Sequence, residues 1–200
     1  MKLIAATNNT HKVIEFKRIL EPLGYTVLSQ KEAGIHIEVE ETGETFEENA
    51  YLKAKSVYEA SGLPTVADDS GIAVDALNGA PGVYSARYGG PALDDVGRYE
   101  KLLAEMENVP DSNRTARFVC AISLILSNEK VYSFTGVCEG KIGYAPRGEN
   151  GFGYDPIFMV GDKSTAELSP AEKDKISHRG QALRKMEKLL RKMQNGESDE

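Results

Sequence analysis

Cysteine is scarce in this sequence: Cys120 and Cys138 are the only two in 200 residues, and both fall in strand-like runs. So few thiols do not make a disulfide framework, and two buried free thiols are expected. Long hydrophobic runs are missing too. No stretch approaches the about 20 apolar residues that a membrane span needs, so no membrane partner is expected. The opening, Met1 to Thr7, carries one charge and a handful of apolar residues before polar sequence begins. That is too short for a signal h-region, and the expected location is cytoplasmic. Positive charge is outweighed: 24 Lys and Arg stand against 31 Asp and Glu, a formal net charge of −7. A nucleic-acid-binding surface needs a broad positive footprint, so no nucleic-acid partner is expected. A local basic pocket for a small anionic ligand is still compatible with this balance. Internal repeats and low-complexity linkers are absent as well.

What is present is an ordinary globular mixture, 40% hydrophobic and 28% charged. The length suits one sizeable domain, placed at residues 1–194, with an acidic tail at 195–200 expected to fray. Lys2–Thr7 has the length of a buried strand. Val13, Phe16 and Leu20 recur at helical spacing after it, flanked by Ile14 and Ile19, and Pro22 and Gly24 stop the pattern. Tyr25–Leu28 reads as a second strand. Thr45 followed by Glu48 is a capping box, so a helix should begin there, with Phe46, Ala50, Ala54, Val57 and Tyr58 on its apolar face. Thr65–Ala67 reads as a brief strand ending in Asp68-Asp69-Ser70-Gly71. Residues 78–91, rich in Gly and Pro, read as loop, and Leu93–Met106 as helix. Arg117–Leu126 and Lys130–Cys138 form an expected antiparallel hairpin. Residues 145–155 are loop again. Ser169-Pro170-Ala171-Glu172 opens the last helix, which carries Leu183, Met186, Leu190 and Met193 on one face. Strands alternating with helices in this way specify an α/β fold, here a single domain with a mixed, twisted sheet flanked by helices.

Four polar clusters fall in loops or at element ends, where open α/β folds place their ligands. Thr7-Asn8-Asn9-Thr10-His11-Lys12 joins a strand to a helix start, whose N–H groups favour phosphate. It lacks the G-x-x-x-x-G-K-[ST] pattern of a P-loop. Glu40 and Glu41, followed by Asn49 and Lys53, offer hard oxygen ligands of the kind that suit Mg²⁺. Asp68 and Asp69 are adjacent carboxylates, so one can hold a metal while the other takes a proton from water. The last cluster is split between Gly151-Phe152-Gly153-Tyr154-Asp155-Pro156 and Lys173, Ser177, His178 and Arg179. Its rings can stack on a base, and arginine donates well to the O6 and N7 acceptors of a 6-keto purine. Taken singly, each cluster has a plain structural reading: a capped turn, a solvated acidic loop, an Asx turn, or core packing beside a helix start.

Taken together they resemble one family, the inosine/xanthosine triphosphate pyrophosphatases or Ham1-like proteins. The matching stretches are Ala6-Thr7-Asn8-Asn9 with Lys12, Glu41-Thr42-Gly43 with Thr45-Phe46 and Asn49-Ala50, Ala67-Asp68-Asp69-Ser70-Gly71, Gly79 to Arg87, Gly151 to Pro156, and Ile176 to Gly180. Their order over about 175 residues makes the resemblance specific. It implies an elongated sheet, two lobes with a substrate cleft between them, and a homodimer. It also implies Mg²⁺-dependent hydrolysis of ITP, dITP and XTP to the monophosphate and pyrophosphate, which cleanses the nucleotide pool. By the same resemblance, Thr7 to Lys12, Lys53 and Lys173 contact the triphosphate. Glu41 and Asp69 hold Mg²⁺, Asp69 is the proton acceptor with Asp68 its partner, and Ser70 touches substrate. Phe152, Gly153, Tyr154, Asp155, His178 and Arg179 read the base. Many members have Gly at the positions of Asn8 and His11, which puts the backbone path around His11 in question here. Two rival readings exist. A Maf-like pyrophosphatase for other bases is disfavoured by Ser177-His178-Arg179 and the Phe-Gly-Tyr-Asp run. A nucleotide sensor without turnover would not need Asp68, Asp69 and Glu41 together.

Overall fold

The computed structural model describes residues 1–196. Its strands are Lys2–Ala5 (β1), Thr26–Ser29 (β2), Thr65–Val74 (β3), Thr115–Ser127 (β4), Lys130–Ile142 (β5), Phe158–Val160 (β6) and Lys163–Ser164 (β7). They form one seven-stranded sheet in the order β2-β1-β3-β4-β5-β6-β7. β1 pairs in parallel with β2 and β3, whereas β6 pairs antiparallel with β5 and β7, so the sheet is mixed. The helices are Thr10–Leu20 (α1), Phe46–Ser61 (α2), Asp95–Glu105 (α3), Pro170–Ile176 (α4) and His178–Gln194 (α5). The chain divides into two compact units. The first holds Met1–Asp69, Cys120–Thr135 and the chain from Ala182 on; the second holds Ser70–Val119 and Gly136–Gln181.

In the first unit, strand alternation sorts side chains onto two faces. Leu3, Ala5, Val66, Cys120, Ile122 and Leu124 pack with Val13, Phe16 and Leu20 of α1 and Leu183, Met186 and Leu190 of α5. Ile4, Ala6, Ala67 and Ile125 pack instead with Ala54 and Val57 of α2. Helices on both faces follow from this pattern, because a strand that is apolar on both sides must be covered on both. Local signals set the helix ends. Asn9 caps α1, the Thr45–Glu48 box caps α2, and Gly24 and Gly62 take left-handed conformations where the chain leaves its helices.

In the second unit, Ile72, Val74, Leu102, Met106, Phe118, Ile142 and Phe158 form a core. Buried Arg114 joins the turn after α3 to the end of β5. Its Nε donates to the carbonyl of Ile142 (2.9 Å), Nη1 to those of Met106 (2.6 Å) and Val109 (3.3 Å), and Nη2 to that of Gly143 (2.7 Å). The Tyr144 ring lies 4.2 Å from the guanidinium carbon.

Several expectations need correction. The strand expected at 65–67 runs to Val74, so Asp68 to Gly71 sit inside it rather than in a turn after it. Gly71 serves close packing, because a Cβ there would collide with Ser85 Oγ and the Gly82 carbonyl. Residues 78–91 contain a 3-10 turn, Gly82–Arg87, which presents Ser85 to that strand. The last helix is two helices, broken at Ser177, whose extended backbone (ψ 150°) ends α4. The hairpin strands are longer than expected and meet through a two-residue connection at 128–129, and β6 and β7 have too few residues to show a pattern. Both cysteines are buried, and neither is in a disulfide. The tail from residue 197 on, expected to fray, lies outside the described residues.

Candidate active site

β1 ends at Ala5, which pairs with Val66, and β3 continues past it. Asp68 and Asp69 are therefore inside β3 yet just beyond the carboxyl end of its parallel neighbour, where ligands bind in open α/β sheets. Alternation then gives each aspartate its own surroundings. Asp68 follows Val66 onto the α1 side, where its Oδ2 lies 2.9 Å from Lys12 Nζ and 4.0 Å from Cys120 Sγ. Asp69 follows Ala67 onto the α2 side, where Lys53 Nζ donates to Oδ1 (3.1 Å) and Asn49 Nδ2 donates to Oδ2 (3.3 Å).

Glu41 reaches the same lysine, with Oε1 2.6 Å from Lys53 Nζ. The acidic loop is held there by Asn49, whose Oδ1 accepts the Gly43 N–H at 2.8 Å. Gly43 must lack a side chain, because a Cβ would lie 2.8 Å from that Oδ1. One ammonium thus sits between two carboxylates brought from a loop and a strand, with buried Asn49 tying both to α2. Burial works against the Lys53 charge, but Asp69, Asp68 and Glu41 outweigh it and hold its pKa above the ordinary lysine value. Burial, with the Glu41 charge, pushes the Asp69 carboxyl above the usual aspartate value, against the pull of Lys53 and Lys12.

The loop before α1 closes on itself. Thr7 Oγ1 accepts the Asn9 N–H at 3.1 Å, and Asn9 Oδ1 accepts the N–H groups of His11 (3.0 Å) and Lys12 (3.3 Å). Thr10 and His11 lie in the first turn of α1. Asn78 is the non-glycine residue with positive φ among the described residues, so neither Asn8 nor His11 stands where glycine is required. The backbone path around His11 is that of an ordinary helix start.

The second unit gathers the remaining candidates. Arg179 Nη2 donates to Ser70 Oγ at 2.9 Å, and its guanidinium carbon lies 6.0 Å from the Phe152 ring centroid. Lys173 Nζ lies 5.0 Å from the same centroid and pairs with the Asp155 carboxylate. His178 stacks on Phe118, with centroids 4.8 Å apart and planes 13° from parallel. The Tyr154 hydroxyl is turned inward to the Ser85 carbonyl (2.8 Å), and the Gly153 N–H is held by Asp95 Oδ2 (3.1 Å). Burial pushes the Tyr154 phenol well above its usual pKa, which suits a structural hydroxyl. The structure thus brings Glu41, Lys53 and Asp69 together, pairs Lys12 with Asp68, and groups Phe152, Lys173 and Arg179. Sequence reasoning placed Asn49 in the acidic cluster without its bridging of Gly43 and Asp69, and left Ser85 and Phe118 without a role. Ser85 was within reach, since the glycine in Asp68-Asp69-Ser70-Gly71 demanded a close neighbour.

The profile of the Ham1 family matches residues 3–189. The chain belongs to the Ham1 family. A dITP/XTP pyrophosphatase of Bacillus subtilis is 53% identical over 189 residues, covering 94% of this chain and 96% of that protein. A dITP/XTP pyrophosphatase of Vibrio cholerae is 47% identical, covering 94% and 96%. Among solved structures, a Ham1 protein of Coxiella burnetii superimposes with a TM-score of 0.90 at 43% identity, covering 96% of this chain and 99% of that one. The Staphylococcus aureus Ham1 protein gives 0.89 at 42% identity, covering 96% and 100%. The Ham1 fold is thus the α/β arrangement described above.

Proposed function

We infer that this chain is a Mg²⁺-dependent pyrophosphatase for non-canonical purine nucleoside triphosphates. It would cut ITP, dITP and XTP to the monophosphate and pyrophosphate, keeping these bases out of DNA and RNA. The reading rests on the convergence of Glu41 and Asp69 on one cation, the Lys53 ammonium, and on relatives named dITP/XTP pyrophosphatase. Two carboxylate oxygens within 3.1 Å of one positive centre suit Mg²⁺, which takes one or two carboxylates and fills its remaining positions with water and substrate oxygens. Held there, the ion would neutralise charge on the phosphate oxygens.

The protein's own groups supply the rest. Lys53 and Lys12 bring positive charge to the triphosphate, next to the N–H groups at the start of α1. Asp69, whose burial favours its protonated form, is suited to accept a proton from water positioned for attack on the α-phosphorus. Asp68, paired with Lys12, keeps a second negative charge next to it. In the second unit, Phe152 offers a ring face to a purine. Arg179 and His178 donate to O6 and N7, where ATP presents an amino group instead. The working form is taken to be a cytoplasmic homodimer, in line with the family resemblance. A pyrophosphate-release assay across ITP, dITP, XTP, ATP and GTP, with Mg²⁺ and with EDTA, tests the reading. Turnover of the first three only with Mg²⁺ is expected, and full activity in EDTA would overturn it.

A further inference from the structure

Asp155 is 3% exposed, and its carboxylate is engaged by protein donors. Oδ2 accepts the Phe152 N–H at 2.8 Å and pairs with the Lys173 ammonium. Oδ1 accepts the hydroxyl of Thr165 at 2.8 Å. The loop turns tightly around this group: at Gly151 (φ +79°), a Cβ would collide with the carboxylate. A carboxylate buried this deeply needs all its donors, and its orientation follows from them. Phe152 and Lys173 are the ring and cation proposed to meet the substrate. Asp155 sets both, and Thr165 sets Asp155.

The rest of the loop is fastened to the same short segment. The Asn150 N–H donates to the Ala166 carbonyl (3.0 Å), and the Asn150 side chain donates to that of Leu168 (3.1 Å). The Ser164 hydroxyl donates to the Arg147 carbonyl at 2.6 Å. Gly148 passes so close to Ala166 that a Cβ would collide with its backbone. Residues 164–168 therefore act as a mould for the loop at 147–155, and the hydroxyl of Thr165 is the contact from this mould to the carboxylate. A hydroxyl has one proton to give, and the carboxylate is closer than the Asp155 carbonyl (3.1 Å). Building on the base-reading role given above to Phe152, we propose that Thr165 is a specificity-determining positioning residue. It holds Asp155, which fixes the Phe152 backbone towards the purine and keeps the Lys173 ammonium, expected at the triphosphate, beside that ring. Asp155 acts on the base through the Phe152 ring and not by contact.

The test compares wild type, Thr165→Val and Thr165→Ser in steady-state pyrophosphate release with dITP and dATP. Valine keeps the shape and removes the donor, whereas serine keeps the donor. Thr165→Val should raise KM for dITP by roughly 5- to 10-fold, the scale of one ordinary hydrogen bond felt indirectly through Asp155, with kcat within about twofold. The dATP reaction should change less, and Thr165→Ser should behave like wild type. Hydrogen exchange gives a readout that does not depend on turnover: the Phe152 N–H should exchange faster in Thr165→Val, or in Thr165→Ala if the valine variant does not fold. A wild type inactive on dITP would overturn the proposed function and this inference together. An active wild type with unchanged KM and unchanged Phe152 protection in the variant would overturn only the inference. Equal losses on dITP and dATP would do the same.

Discussion

Replacing Lys53 with methionine removes a cation from between two carboxylates and leaves their shape-neighbours in place. An ion pair at about 3 Å is worth about 5 kcal/mol before desolvation at an effective dielectric of 20. Lys53 makes two, to Glu41 at 2.6 Å and to Asp69 at 3.1 Å. Desolvation cancels much of this, and removing one partner of a buried pair typically costs 3–5 kcal/mol. The Lys53, Glu41 and Asp69 side chains keep 15%, 21% and 9% exposure, which moves the expected loss down to about 2–3 kcal/mol. For a chain of this size that corresponds to a fall in Tm of roughly 5–10 °C in EDTA. Mg²⁺ should then recover most of the loss, because it binds the folded carboxylate pair with no ammonium to displace. The assay is thermal melting by circular dichroism of wild type and Lys53→Met, in EDTA and in millimolar Mg²⁺. The ion should raise Tm more in the variant than in wild type. A variant that melts within about 1 °C of wild type in EDTA would refute the reasoning, as would equal Mg²⁺ shifts in the two proteins.

Asp69→Asn should lower kcat by roughly 10²-fold or more with the far-UV spectrum unchanged, and activity within threefold of wild type would remove Asp69 from the base role. Arg179→Ala should cut kcat/KM for ITP by about 5- to 150-fold, the worth of a bidentate contact to O6 and N7, while the residual ATP rate changes far less. Equal losses on both nucleotides would leave Arg179 a structural role through Ser70. Glu32 makes a pH-sensitive local contact in the first unit. The Ser29 N–H, then Lys17, hold its carboxyl down from 4.5 to about 2. A depressed folded pKa contributes stability that is complete above the unfolded value and is lost as pH falls through the folded one. The Tm difference between wild type and Glu32→Gln should therefore be full at pH 5, smaller at pH 3 and gone near pH 2. A constant difference across that range would refute the assignment.

Much of the first unit could be read directly from sequence. The capping residues Asn9 and Thr45, the stops at Gly24 and Gly62, and the apolar periodicity of α1 and α5 all act locally, so the sequence carries them openly. β3 was harder. Asp68-Asp69-Ser70-Gly71 looks like a turn because each residue favours turns when alone. Its strand conformation is imposed by neighbouring strands that come from elsewhere in the chain. The short β6 and β7 follow from tertiary pairing for the same reason. Within the site, residue types and order pointed to Glu41, Lys53 and Asp69, but not to the bridging by Asn49. They also gave no sign that the Tyr154 hydroxyl and the Asp155 carboxylate turn inward. Side-chain direction at those positions depends on Ser85 and Thr165, which lie 69 and 10 residues away.

The Arg114 socket gives the second unit a joint that no proton can loosen. Its hydrogen-bond acceptors are the carbonyls of Met106, Val109, Ile142 and Gly143. Peptide carbonyls do not titrate, and a guanidinium keeps its charge at any pH a cell meets. Glu32, by contrast, holds Ser29 and Lys17 through a carboxylate, which acid neutralises. Here the end of α3 stays fastened to β5 when that carboxylate has lost its charge. A lysine in the same place would concentrate its donors at one point and could not span the four oxygens. Acid unfolding should therefore begin in segments held by carboxylates, such as the loop around Glu32, and reach this corner last.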